Sequence, residues 1–197
     1  MMIRIGFLDI TTNCGYVVFE CSYENKQFKS SFLSSGSITS KKMFTHWHEG
    51  FDPSNDNILL NEWVRWDSYA EELEKITEEA DLWIMEFSKT SRLPSFVAIK
   101  GIMAGFFTAQ QVFKTQLMDF IPSAEWQKKF GLARKGKKAV KEYIDKNFPE
   151  QAIELKNEHQ RDSFLLGIYW IEKNKDCIIK YIEEQGKTYE EEQENDW

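Results

Sequence analysis

The sequence predicts an α/β domain built on a mixed five-stranded sheet flanked by helices. Three observations predict it. Three β-type segments precede the first helical stripe, which suggests an antiparallel meander. Further along, two short apolar runs are separated by a helical segment, and such a strand-helix-strand unit requires a parallel crossover. The length of 197 residues, 42% of them hydrophobic and 15% aromatic, suits one domain that buries roughly 70% of the surface its unfolded chain exposes. We assign the domain to residues 1–182 and an acidic tail, expected to be disordered, to residues 183–197.

Ile3, Ile5 and Phe7 alternate with Arg4 and Gly6 and run on to Leu8 and Asp9, which makes the first strand. TTNCG reads as a turn, YVVFECSY as the second strand and QFKSSFLSSGSI as the third. Residues 44–60 carry Gly, Pro, Asn and Asp without periodicity and read as a long loop. His46 and His48 form an HxH pair in that loop, but neither a Cys nor a third His lies near them, so a surface loop is preferred to a metal site. Trp63, Trp66, Tyr69, Ala70, Leu73, Ile76 and Ala80 fall on one helical stripe. LWIMEF follows as a buried strand ending at Glu86. Phe96 to Phe113 reads as a core helix, with Gly101 and Gly105 one turn apart; Lys100 and the Gln110–Gln111 pair make it too polar to span a membrane. QLMDFI is the last strand, Ser123 is the expected N-cap of the next helix, and helices at about 137–147 and 158–173 complete the domain.

The formal charge of −7 argues against nucleic acid until its distribution is read. Seven acids against Lys187 alone lie in residues 183–197, which leaves the body near neutrality. Within that body, Lys128, Lys129, Arg134, Lys135, Lys137, Lys138 and Lys141 follow one another with no acid between them. Such a run is ordinarily a solvated helix face; beside an acidic site it reads as a patch that tracks phosphates. Cys14, Cys21 and Cys177 are odd in number and form no CxxC pair, which fits a reducing cytoplasm. Met1 to Asp9 lacks the features of a secretion signal.

The chemistry lies in the acids. Asp9 and Glu86 each end an apolar strand, where an ionised carboxylate costs several kcal/mol unless it is paired or bound to a cation. His159 and Asp162 are spaced i, i+3 at the start of an apolar helix and so share a face. Together these four form a site of three carboxylates and one imidazole, whose oxygen ligands suit magnesium or manganese better than structural zinc. Glu158, four residues from Asp162, is an alternative to His159 as ligand.

IRIGFLDITTNCGYVVFE, WIMEF, FIPSAEWQKKFG, KGKKAVKEYI and HQRDSFLLGIYW, in that order and spacing, resemble the RuvC-like Holliday junction resolvases of the RNase H-like superfamily. The resemblance runs from about Ile3 to Ile171. It implies an RNase H-like fold and a homodimer that acts on four-way junctions and other branched DNA, with no membrane partner. It implies paired nicks leaving 5′-phosphate and 3′-hydroxyl ends. It further implies that Asp9, Glu86, His159 and Asp162 hold two divalent cations, Mg2+ or in its place Mn2+. Lys128, Arg134, Lys135, Lys137 and Lys138 are the expected DNA contacts, Lys137 matching a family position near the scissile phosphate. The family commonly follows its first Asp with a residue and then Gly, where this chain has Ile10 and Thr11, and the small residue after the last Asp is here Ser163. Trp47 and Phe51 are candidates to stack against an opened junction.

Three other readings stay beside this one: an RNase H-like nuclease for RNA–DNA hybrids or flaps, a junction-binding protein without catalysis, and an actin-like ATPase. The last needs glycine-rich phosphate loops and a second domain, which this sequence does not show. The expected cellular setting is the cytoplasm of a bacterial or virus-infected cell.

Overall fold

The computed structural model describes residues 2–9, 13–39, 75–76, 78–87 and 118–195. Alternation at the start of the chain forms strand β1 (Met2–Asp9). Ile3, Ile5 and Phe7 are buried on one face, and Leu8 is buried on the other. A strand covered on both faces belongs at the middle of a sheet. Strand β2 (Asn13–Glu24) pairs antiparallel with β1 from Met2 opposite Ser22 to Asp9 opposite Gly15. Asn25 and Lys26 both take left-handed backbone, with φ of 52° and 61°. These are the central residues of a two-residue hairpin, whose twist suits the flanking strands. Strand β3 (Gln27–Thr39) returns along β2 with a register shift opposite Val18 and Phe19.

Strand β4 (Leu82–Phe87) pairs parallel with the free side of β1, and β5 (Met118–Pro122) pairs parallel with β4. The sheet order is β3-β2-β1-β4-β5, the mixed arrangement expected from the sequence. Helices α1 (Ser123–Lys129), α2 (Gly136–Asn147), α3 (Pro149–Ala152) and α4 (Glu158–Asn195) follow. Helix α4 lies across β1 and β2. Phe164 stacks on Phe19 with ring centroids 5.5 Å apart, and Phe19 meets Phe7 edge-on at 5.8 Å.

Two expectations are corrected. Asn13–Gly15, read as part of a turn, are strand residues, because Gly15 completes the ladder opposite Asp9. Ser123 is the first helical residue of α1 rather than its cap: β5 stays paired as far as Pro122, which takes the N-cap position in extended conformation, and no side chain caps the helix. Helix α4 runs on through the acidic segment to Asn195. Glu, Gln and Lys are good helix formers, and extending a helix that packing has already nucleated costs little. A non-helical residue, Asn174 (φ −111°, ψ 15°), interrupts α4.

The loop at 44–60 with His46, Trp47, His48 and Phe51, the helix expected at Phe96 to Phe113, and most of the stripe from Trp63 lie outside the described residues. So do Ile10 and Thr11. At the end of the stripe, Ile76 and Ala80 are buried. Among the described residues, no helix is long and apolar enough to cross a membrane.

Candidate active site

The parallel pairing of β1 and β4 sets Leu8 opposite Met85, so Asp9 and Glu86 follow one step later at the same end of the sheet. Helix α4 brings the other two groups there, and its start is fixed by a reciprocal cap. The Asn157 side-chain oxygen accepts the Gln160 N–H at 2.9 Å, while Gln160 Oε1 accepts the N–H groups of Asn157 at 3.1 Å and Lys156 at 2.7 Å. This is a capping box with Asn and Gln in its two positions. It sets His159 in the first turn of α4 and Asp162 one turn further on.

The seat beneath that turn is Gly15. A Cβ there would fall on the backbone of His159 and Gln160 and on the His159 side chain. Ser163 then ties the elements together. Its hydroxyl accepts the Asp9 N–H at 2.8 Å and donates to the Gly15 carbonyl at 2.8 Å, joining the ends of β1 and β2 to α4. Ser163 is fully buried, and Asp9 and Asp162 are 4% and 3% exposed.

His159 Nδ1 lies 2.7 Å from Asp9 Oδ2, and its Nε2 is 3.6 Å from Glu158 Oε1. With Nδ1 as donor to Asp9, the Nε2 lone pair is the ring's ligand or base position. The His159 side chain is 15% exposed and that of Glu158 50% exposed, so the structure turns His159 inward and Glu158 outward. Glu86 Oε2 accepts a hydrogen bond from Trp126 Nε1 at 3.1 Å, and Trp126 is fully buried. Lys137 of α2 donates to Asp162 Oδ2. Asp162 Oδ1 is buried with no hydrogen-bond partner among the described residues.

The electrostatics follow from this crowding. Burial, reinforced by Asp9 and Asp162, pushes the Glu86 carboxyl up to about 8 against the pull of the Trp126 hydrogen bond and Lys137. Burial and Asp9 push Asp162 up to about 6, opposed by Lys137 and His159. Burial works to lower Lys137, but its attraction and hydrogen bond to Asp162 carry it net upward. Among the described residues, three carboxylates are thus held together with less positive charge than they need, and one buried carboxylate oxygen faces no donor. Among the described residues no three His, Cys, Asp or Glu side chains are arranged to hold an ion as they stand. The donor set nonetheless fits hard divalent cations: the ligand types match, and the orphaned Asp162 oxygen and the mutual repulsion are both relieved by a cation.

A pH dependence of stability follows for the protein in EDTA. Both acids have folded values above their ordinary 4.5 and 3.8, so the folded state binds protons that the unfolded chain has released. That stabilisation is complete below about 4 and is lost as pH rises through about 6 and then about 8. Thermal melts should give a falling Tm from pH 5 to pH 8.5, and Glu86→Gln should flatten the upper part of the fall. A Tm that rises over this range contradicts the crowding.

The basic segment divides in two. Lys129 pairs with Glu172 at 3.1 Å, Lys138 with Glu142 at 3.8 Å, and Lys141 with Asp145. Lys128, Arg134 and Lys135 are exposed, with no ion pair among the described residues. The sequence showed no acid within the run, but the acids that answer it come from the next turn of α2 and from α4. Helix α1 is further fixed to α4 through Glu125, which accepts from Tyr169 at 2.9 Å and Lys173 at 3.1 Å.

Four contributors were not read from the sequence as parts of a site: Trp126, Gly15, and the Asn157–Gln160 cap pair. The N-x-x-Q spacing ahead of an apolar helix was a signal for the last two. Ser163 was noted only for its size.

No protein-family model and no curated protein matches this chain. Solved structures do. RuvC of Thermus thermophilus in complex with a Holliday junction substrate matches with a TM-score of 0.53 and 11% identity, over 83% of this chain and 89% of that one. Another structure of Thermus thermophilus RuvC gives a TM-score of 0.54 and 12% identity over 83% and 90%. The fowlpox virus resolvase, in complex with Holliday junction DNA, gives 0.50 and 15% over 87% and 98%. The chain therefore has the RuvC-like, RNase H-like fold that its sequence motifs imply.

Proposed function

We propose that this protein is a metal-dependent, structure-selective endonuclease that resolves four-way DNA junctions by paired nicks, leaving 5′-phosphate and 3′-hydroxyl ends. The observation that carries the reading is the convergence of Asp9, Glu86 and Asp162 from β1, β4 and α4 at one sheet end, with a buried Asp162 oxygen lacking a partner among the described residues. The fold it shares with the resolvases supports it. Asp9, Glu86, Asp162 and His159 would hold two magnesium ions, or manganese in their place. Bound there, the pair supplies Lewis acidity for in-line attack of water on a phosphodiester.

The chain's own residues prepare that chemistry. Trp126 orients Glu86, Ser163 fixes the backbone of Asp9, and the Asp9–His159 contact sets the imidazole's orientation. His159 serves as ligand or moves a proton at Nε2. Lys128, Arg134 and Lys135 meet the DNA backbone, with Lys137 and Lys138 beside them. A homodimer matches the two-fold symmetry of a four-way junction and the need for two nicks.

The deciding experiment is cleavage of a four-way junction, a flap and an RNA–DNA hybrid with magnesium or with EDTA. Magnesium-dependent nicking of the junction alone supports the proposal. Preference for the hybrid or flap moves the protein to another RNase H-like activity, and binding without magnesium-dependent cleavage makes it a junction-binding protein.

Binding should weaken steeply with salt, because each neutralised phosphate releases counterions. The triple variant Lys128→Ala/Arg134→Ala/Lys135→Ala should reduce the slope of log affinity against log salt by about 3, roughly 1 for each lost contact. Fluorescence anisotropy across a salt series measures it. An unchanged slope would show that these three side chains are only solvated.

A further inference from the structure

We infer that Lys137 is a resident counter-cation, which a divalent ion displaces from Asp162 and which then becomes available to a substrate phosphate. The inference rests on the proposed nuclease reading and adds the order in which the site is filled.

The neighbouring lysines show why Lys137 is different. Lys138 and Lys141 reach forward along α2 to Glu142 and Asp145, ordinary i, i+4 pairs on an exposed face. Lys137 instead crosses from α2 to α4 and places its ammonium on a carboxylate whose side chain is 5% exposed. The Lys137 side chain is itself 48% exposed, so its head can leave along the solvent side without unpacking the core. Its partner belongs to a cluster of three acids that repel one another, and the ammonium stands on one oxygen of Asp162 while the other has no donor among the described residues.

A divalent ion that takes Asp162 as ligand competes for that carboxylate. An ammonium and a divalent ion a few ångströms apart in a poorly screened site repel strongly. Loading the DNA-free protein therefore requires that Lys137 be driven off. Once off, it carries three donors on a flexible stem at the edge of the basic segment, where an anion is its natural partner. A phosphate that receives the ammonium lowers the cost of releasing it, so DNA and the ion favour one another's binding, and by linkage the effect is reciprocal.

The test measures Mn2+ affinity by isothermal titration on the full-length, DNA-free protein. Lys137→Met should bind Mn2+ about tenfold more tightly than wild type, whereas Lys137→Arg should not gain and Lys138→Met should stay within about twofold. A companion measurement follows acylation of individual lysines by mass spectrometry. Saturating Mn2+ should speed labelling of Lys137 and leave Lys138 unchanged. Lys137→Met binding no tighter than wild type, an equal gain in Lys138→Met, or Lys137 labelling that ignores Mn2+ each overturns the inference. Asp162→Asn separates the two layers. Mn2+ binding that depends on Asp162 but is indifferent to Lys137 defeats the counter-cation alone, and the absence of Asp162-dependent binding in every variant defeats the site reading as well.

Discussion

Asp9→Asn, Glu86→Gln and Asp162→Asn are each expected to lower magnesium-dependent junction nicking below about a thousandth of wild type, the scale on which loss of one preorganised electrostatic group acts. Junction affinity measured in EDTA should stay within about twofold for Asp9→Asn and Glu86→Gln, because the exposed basic side chains proposed to meet phosphates are untouched. Each change removes a carboxylate oxygen that could ligate a cation and almost no volume, so the packing of Phe7, Phe19 and Phe164 beneath the site is kept. His159→Ala should also lose most activity, since its ring contacts Asp9 at 2.7 Å. Glu158→Ala should be nearly silent, because that side chain faces outward. Single-turnover nicking beside a binding assay reads both quantities. Wild-type nicking by any two of the three carboxylate variants would dismantle the site.

The second large effect is expected from a residue without a side chain. Gly15→Ala places a methyl group against backbone of the first turn of α4, which has no rotamer with which to yield. Overpacking of this kind costs about 1–3 kcal/mol, and at this chain length each kcal/mol moves Tm by about 2–4 °C. The displaced turn carries His159, and the Ser163 bonds to Asp9 and Gly15 stretch with it. Nicking should therefore fall at 20 °C, well below the lowered Tm, by about 10- to 100-fold, the range for groups that orient ligands. A variant that melts earlier but nicks normally when folded would show that the seat serves stability alone.

The strands were legible because each announces its period: Ile3, Ile5 and Phe7 alternate, and LWIMEF is too short and too apolar for anything but a buried strand. Their connections implied the parallel pairing. Asp9, Glu86, His159 and Asp162 could be nominated because a carboxylate at the end of an apolar strand needs a reason. The structure gathers all four at one end of the sheet. Lys137 was read as part of a solvated or phosphate-facing run, and the sequence carries no mark that its ammonium crosses to Asp162, because that depends on how α2 lies against α4. Trp126 was opaque for the same reason: an indole in a helix reads as core, and only the packing of α1 turns its N–H toward Glu86. Ser163 looked like a small residue, since a hydroxyl that bridges a backbone donor and a backbone acceptor leaves no pattern in one dimension.

The hydroxyl of Ser163 bonds a residue 154 positions earlier in the chain. Synthesis delivers Asp9 and Glu86 well before Asp162, so over that interval the nascent polypeptide carries only part of the proposed site. Pairings of such long sequence separation are slow to form, because closing a large loop costs entropy before any contact rewards it. A chain cut short anywhere before α4 lacks His159 and Asp162 and holds no complete site. The proposed site is therefore complete only once α4 has closed on the ends of β1 and β2.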